Sequence, residues 1–299
     1  MKKELVLGTA QLGMNYGINN RDGKPSIEKA FKILDMAYEK GIRILDTASS
    51  YGNAEIIIGK YMNQKNRHFK IATKLAGYEG KSKIEAYVNS QIRQSLKRLN
   101  IPQIDYYFIH SFRDIIKHPG IIETLKRHEE AGKIVKIGVS IYDVEELEYI
   151  LDNLAFVNAV QIPFNLLDLR WIKQGILSKT KDRGIEIFTR SIFLQGFLFL
   201  DKYTAIKIHH KSYSYLQLLK KFCSTNNISI DALAITFVKL QKEIDYIIIG
   251  CENRDQLIAN INNFNTRNQL SEKELLNFVI QNFSSIEKQI IDPRKWSKF

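Results

Sequence analysis

The stretch IRILDTASSYG, Ile42–Gly52, is an apolar run that stops on a carboxylate, Asp46, and turns through small polar residues to a phenol, Tyr51. Its pattern reads as a buried strand with its exit loop. Asp and Tyr are each common at strand ends and turns, so the pair alone says little. Two later runs give it weight. KIATK, Lys70–Lys74, leaves a lysine at the end of its apolar run, and IDYYFIH, Ile104–His110, leaves a histidine at the end of another. Four titratable side chains at the points where strands stop predict a parallel α/β barrel, which gathers its active site at the C-terminal ends of its strands.

The rest of the chain alternates in the same way. ELVLG, ending in the Gly-containing turn GTAQLG, reads as the first strand, and MNYGINNRDGKPS as a surface loop over the barrel mouth. Ser26 is the expected N-cap, and Gly41 the expected stop, of the helix IEKAFKILDMAYEKG. NAEIIIGKYM and KIEAYVNSQIRQSLKRLN are the next helices, and GIIETLKRHEEAGK leads to the strand IVKIGVS. VEELEYILDNL then leads to AVQIPFN, WIKQGILSKTKDRG to IEIFTR, and a helical region from His209 to Gln241 to DYIIIG. Eight strand–helix units in 299 residues predict a (β/α)8 TIM barrel forming one domain over residues 1–299. SEKELLNFVIQNF adds a C-terminal helix, followed by a tail, IIDPRKWSKF, that either folds over the mouth or frays.

Composition narrows the class. Hydrophobic residues at 44% and charged residues at 25% are globular values, and no apolar run is long enough to span a bilayer. The N-terminus has no long apolar segment and no cleavage site, so a cytoplasmic protein is expected. The two cysteines, Cys223 and Cys251, form no Cys-x-x-Cys pair and no Cys/His cluster, which fits a reducing compartment and implies no metal. The net charge of +12 is spread along helices instead of forming a block, which argues against nucleic acid and remains compatible with phosphate-bearing ligands.

The Asp46, Tyr51, Lys74 and His110 pattern resembles the aldo-keto reductase family, and the resemblance runs over nearly the whole chain. It implies reduction of a carbonyl compound, an aldehyde or ketone such as a keto-sugar or sugar derivative, by NADPH, with NADH as the alternative. Tyr51 would donate the proton, Lys74 would lower the phenol pKa, Asp46 would hold Lys74, and His110 would orient the carbonyl. The resemblance places Gly8, Thr9 and Ala10 against the cofactor, Ser140 and Gln161 at the nicotinamide carboxamide, and Arg190, Ser191, Phe193 and Gly196 along the nicotinamide and pyrophosphate. Gly250 would lie at the last turn, and Gln256 and Asn260 at the adenine, where the helix N-terminus also favours an anion.

Three departures stand out. Ile141 occupies a place where the family usually has Asn, and Arg190 one where an aromatic usually stacks on nicotinamide. Glu252 stands near the usual base for the NADPH 2′-phosphate, leaving Arg254 as the nearest substitute. Asn15, Tyr16, Phe112, Arg113, Phe164 and Trp296 are the candidates for the substrate pocket. Taken singly, each residue also has an ordinary reading: Asp46 as a turn residue, Lys74 as a strand-end charge, Tyr51 as a rim aromatic, His110 as a structural histidine, Gln161 as a barrel-layer residue. Two other functions share these residues, a cofactor-binding regulatory subunit and a barrel lyase using Lys74 as a Schiff base.

Overall fold

The computed structural model describes residues 3–20, 22–80, 82–173, 175–266 and 270–296. Eight parallel strands close into a barrel in sequence order: β1 (Glu4–Gly8), β2 (Ile44–Asp46), β3 (Lys70–Leu75), β4 (Ile104–Ile109), β5 (Ile134–Ser140), β6 (Ala159–Pro163), β7 (Glu186–Arg190) and β8 (Tyr246–Gly250). The register runs from Gly8 beside Asp46, through Asp46 beside Ala72 and Lys74 beside Phe108, to Ser140 beside Gln161. It closes with Gly8 beside Gly250.

Local chemistry sets the helices between them. Ser26 caps the helix Ile27–Glu39 by accepting from the Lys29 amide, and Gly41 follows it at φ +87°. Asp143 and Glu146 form a reciprocal capping box at the start of Val144–Asn153. The strands are shorter than their apolar runs by one or two residues at several ends. The expected turn after β1 contains a short helix, Ala10–Gly13. His209–Gln241 divides into two helices, Ser212–Thr225 and Ile230–Leu240, preceded by a further one at Lys202–Ile208.

Two apolar layers hold the barrel. The outer one lies between strands and helices, with Trp171, Tyr61 and Tyr107 among its fully buried side chains. The inner one is small: Val6, Ile44, Ala72, Tyr106, Phe108, Ala159, Phe188 and Ile248. Phe188 stacks on Tyr246 at 4.2 Å, and a Cβ at Gly138 would come within 2.5 Å of the Phe108 ring. Glycine there is what lets that ring cross the interior.

At the strand N-termini the interior is sealed by side chains. Lys136 Nζ lies 2.7 Å from Glu186, Tyr246 donates to the same carboxylate at 3.3 Å, and the hydroxyls of Tyr106 and Tyr246 are 3.2 Å apart. The C-terminal helix Glu272–Phe283 is present, and the tail after it docks at the rim. Lys288 reaches Asp143 at 2.6 Å, the Arg294 guanidinium lies 3.6 Å from the Tyr142 ring centre, and Trp296 Nε1 donates to Gln289 O at 3.0 Å. The chemistry is thereby confined to the opposite end, where the strands finish.

Candidate active site

β2 and β3 bring Asp46 and Lys74 together because both point into the barrel at its C-terminal level. Lys74 Nζ donates to Asp46 Oδ1 at 2.7 Å and to Thr47 O at 2.9 Å, with the lysine side chain 1% exposed. Asp46 Oδ1 also accepts from Gln161 Nε2 at 2.7 Å. The exit loop of β2 carries Tyr51 back over this pair, so that Lys74 Nζ stands 5.0 Å from its ring centre. His110, one residue past β4, meets the Tyr51 ring edge-on at 6.1 Å. The four residues read from strand ends therefore form one cluster.

Burial governs its electrostatics. It pushes the His110 pKa down to about 3, with Lys74 and Arg190 adding to the shift, so the imidazole is neutral at working pH. Burial also lowers the pKa of Lys74, and the Asp46 carboxylate opposes the change. The Tyr51 phenol moves up, through burial first and the Asp46 charge second, with Arg190 opposing. Lys74 is expected to make Tyr51 more acidic, and here burial and the Asp46 charge outweigh the cations near the phenol, Arg190 among them. Tyr51 is accordingly a protonated donor. To be useful it need only be more acidic than the alkoxide that it protonates.

A cavity of about 450 Å³ opens from Asp46 and Tyr51. It runs past Gly8, Thr9 and Ala10, along Arg190, Ser191, Phe193 and Gly196, to Gly250, Gln256 and Asn260. The β7 exit loop is wound tightly: Ser191, Leu194, Gln195 and Gly196 all have φ between 48° and 95°. Three of these are not glycine, and such conformations cost about 1–3 kcal/mol each and concentrate at functional sites. Ile18 N donates to Gln195 O at 3.1 Å, tying the β1 loop to this one across the cavity.

The sequence profile described as Aldo/keto reductase family matches residues 4–278. The chain belongs to this family. Its members are NAD(P)H-dependent oxidoreductases, and this chain is one of them. An aldo-keto reductase of Bacillus subtilis (strain 168) is 29% identical over 64% of this chain, a segment that spans 59% of that relative. The L-glyceraldehyde 3-phosphate reductase of Escherichia coli (strain K12) is 23% identical over 97% of this chain and 91% of its own length. Among solved structures, a holo aldo-keto reductase from Bacillus halodurans shares the fold with a TM-score of 0.77, at 22% identity over 97% of this chain and 95% of that one.

The residues implied by the family resemblance divide between the cavity lining and its surroundings in this aldo-keto reductase. Ser140 and Gln161 are buried side by side on β5 and β6, next to Asp46, and Gln161 Oε1 has no hydrogen-bond partner among the described residues. Arg190 lines the cavity, but its guanidinium rests 4.1 Å from the Tyr142 ring centre and donates to Ile141 O at 3.2 Å. Of the pocket candidates, only Tyr16 lines the cavity. Asn15 is exposed and accepts from the Lys24 amide. Phe164 is fully buried against Phe237, and Phe112 packs edge-on against Tyr149. Arg113 is exposed and lines no part of the cavity, and Trp296 is pinned to the tail. Arg254 is likewise exposed and outside the lining.

The lining contains residues that sequence reading missed. Gln11 and Asn19 come from the β1 loop, Gln195 from the β7 loop, and Asp231 from the first turn of Ile230–Leu240. Gln11 and Asn19 sit in the turn and loop read after the first strand, and Gln195 lies between Phe193 and Gly196. Asp231 had no signal, because it is far in sequence from every motif.

Proposed function

We propose that this aldo-keto reductase reduces a small polar carbonyl compound, an aldehyde or ketone such as a keto-sugar or sugar derivative, with Tyr51 as the proton donor. Asp46, Lys74 and His110 complete the catalytic group. When bound, the reduced nicotinamide supplies the hydride. Tyr51 passes its hydroxyl proton to the oxygen of the new alcohol. Lys74, locked by Asp46, fixes the local field around the phenol, and neutral His110 offers the carbonyl oxygen a hydrogen bond without adding a second positive charge.

The observation that carries this reading is the buried Asp46–Lys74 pair beside Tyr51, with Asp46 and Tyr51 both lining the cavity. The unpartnered Gln161 Oε1 fits the cofactor, because a buried amide oxygen left unsatisfied is costly and a carboxamide N–H would satisfy it. Ser140 stands beside it on β5. Gly8, Thr9, Ala10, Ser191, Phe193 and Gly196 would flank the nicotinamide ribose and pyrophosphate, and barrels commonly bind phosphate by the loops after strands 7 and 8. Tyr16, Gln11 and Asn19 would face the substrate. Hydroxyl and amide groups there suit a polyhydroxylated compound, as does the name of the relative that reduces L-glyceraldehyde 3-phosphate. Among the described residues no helix is long and apolar enough to cross a membrane.

A Schiff-base role for Lys74 is disfavoured, since its amine is held by two acceptors, the Asp46 carboxylate and the Thr47 carbonyl. The test is a screen of aldehydes, ketones and keto-sugars for oxidation of the reduced dinucleotide. Cofactor binding with no turnover on any carbonyl would favour the regulatory-subunit reading, and borohydride trapping of a substrate on Lys74 would restore the lyase.

A further inference from the structure

We propose that the far end of the cavity selects a dinucleotide with a free ribose 2′-hydroxyl, NADH, over one carrying a 2′-phosphate, with Glu252 as the principal discriminating residue and Asp231 as the second. The inference rests on the dinucleotide reading above and reverses the family-based expectation of NADPH.

Glu252, Asp231, Gln256, Ala259 and Asn260 line the end of the cavity remote from Tyr51. With the nicotinamide at Tyr51 and the pyrophosphate at the β7 and β8 loops, the adenosine falls here. Among the described residues the only cation in the whole lining is Arg190, which belongs to the other end, within electrostatic reach of Tyr51 and His110. The adenosine end thus carries two carboxylates and no positive charge.

Both carboxylates are held in place. Gln256 donates through Nε2 to Glu252 Oε2 at 3.2 Å, while its Oε1 accepts from the Glu252 amide at 2.8 Å, a two-point clasp across the first turn of Arg254–Asn265. Asp231 Oδ2 accepts from Asn263 Nδ2 at 2.7 Å. Neither pairs with a lysine or arginine among the described residues. The Gln256 amide, one of the donors with which this helix N-terminus would meet a phosphate, is already taken by Asn253 Oδ1 at 2.9 Å.

A 2′-phosphate brings about −1.5 to −2 charges and further acceptor oxygens to this place. Two carboxylates, themselves acceptors, repel it and can receive nothing from its ionised form. A ribose hydroxyl donates to a carboxylate in a charge-assisted hydrogen bond, the same chemistry by which an acidic residue reads the 2′-hydroxyl of NAD in open α/β folds. Arg254, the one base in the first turn, lies outside the lining.

Calorimetric titration of the full chain with NADH and NADPH, and with 5′-AMP and adenosine 2′,5′-bisphosphate, tests the inference without reference to turnover. The two fragments lack nicotinamide and report on the adenosine end alone. NADH is expected to bind at least tenfold more tightly than NADPH, the fragments in the same order, and added salt to narrow the gap. Glu252→Lys should invert the order, Asp231→Asn should narrow it, and Arg254→Ala should leave it unchanged. NADPH binding as tightly as NADH to the wild type overturns the inference and leaves the carbonyl-reductase reading standing. So does an unchanged ratio in a folded Glu252→Lys protein. Failure of both dinucleotides to bind removes the cofactor reading and this inference with it.

Discussion

The two ends of the barrel interior use the same side-chain types to opposite effect. At the strand N-termini, Lys136, Glu186, Tyr246 and Tyr106 form a chain of hydrogen bonds in which each polar side chain has a partner. At the C-termini, Lys74, Asp46, Gln161, Tyr51 and His110 form a cluster that stays open: Gln161 Oε1 is unpartnered, and neither the Tyr51 nor the His110 side chain donates to another described residue. The floor pair is also wetter, with Lys136 37% exposed where Lys74 is 1% exposed. A satisfied network stabilises and has nothing left to offer a ligand. A dry, incomplete one is costly to maintain and presents groups to whatever completes it.

If that contrast is right, the mouth should be fragile in function and the floor only in stability. Tyr51→Phe should bind cofactor almost normally and lose about 10²- to 10⁴-fold in kcat, the usual worth of a positioned acid. Steady-state kinetics with turnover close to wild type would remove Tyr51 from the catalytic group. Lys74→Met should abolish turnover and also destabilise the fold by about 3–5 kcal/mol, because it strands the Asp46 carboxylate in a dry site. Urea denaturation measures the second effect, and a wild-type midpoint would mean that the pair is not buried as described.

His110 sharpens the comparison through pH. Its folded pKa, about 3, lies below the unfolded value of about 6.5, so the folded state binds fewer protons between those values. The stability that comes with neutral burial is complete above about pH 6.5 and is lost as pH falls towards 3. At pH 5 the loss should be about 2 kcal/mol, and His110→Gln should lack it, as paired denaturation curves at pH 7 and 5 would reveal. Arg190→Tyr should tighten oxidised cofactor selectively, by up to about tenfold after solvent screening, because oxidised nicotinamide is positive and faces an uncompensated guanidinium. An unchanged ratio of oxidised to reduced dissociation constants would show that the Tyr142 stack keeps Arg190 off the ring. The smallest effect belongs to the floor: Lys136→Met should cost about 1 kcal/mol and leave kcat untouched, and a fall in turnover without unfolding would break the contrast.

Much of this molecule was legible along the chain. Alternating apolar runs and helix periods, with caps such as Ser26, gave the strand order and the barrel, because each element is set by residues within a turn or two of itself. Asp46, Tyr51, Lys74 and His110 could be read for the same reason: a residue at the end of a barrel strand has its destination defined by the strand. Where a loop residue goes depends on what it meets. Phe164 and Trp296 looked like pocket walls and are packed against Phe237 and the tail backbone, while Asn15 holds its own loop.

Charge was the property that sequence spacing could least supply. Lys74 read alone promised an acidic phenol, and the burial that pushes Tyr51 the other way exists only once eight strands have closed around it. Asp231 and Glu252 are separated by the length of a helix and a strand, and only the closed barrel sets them at one end of one cavity. Sequence determined the fold and the four side chains that gather at the strand ends, through local periodicity and strand position. Tertiary structure decided which charges share a dry space, because Coulomb energy depends on distance and dielectric and neither is encoded in spacing along the chain.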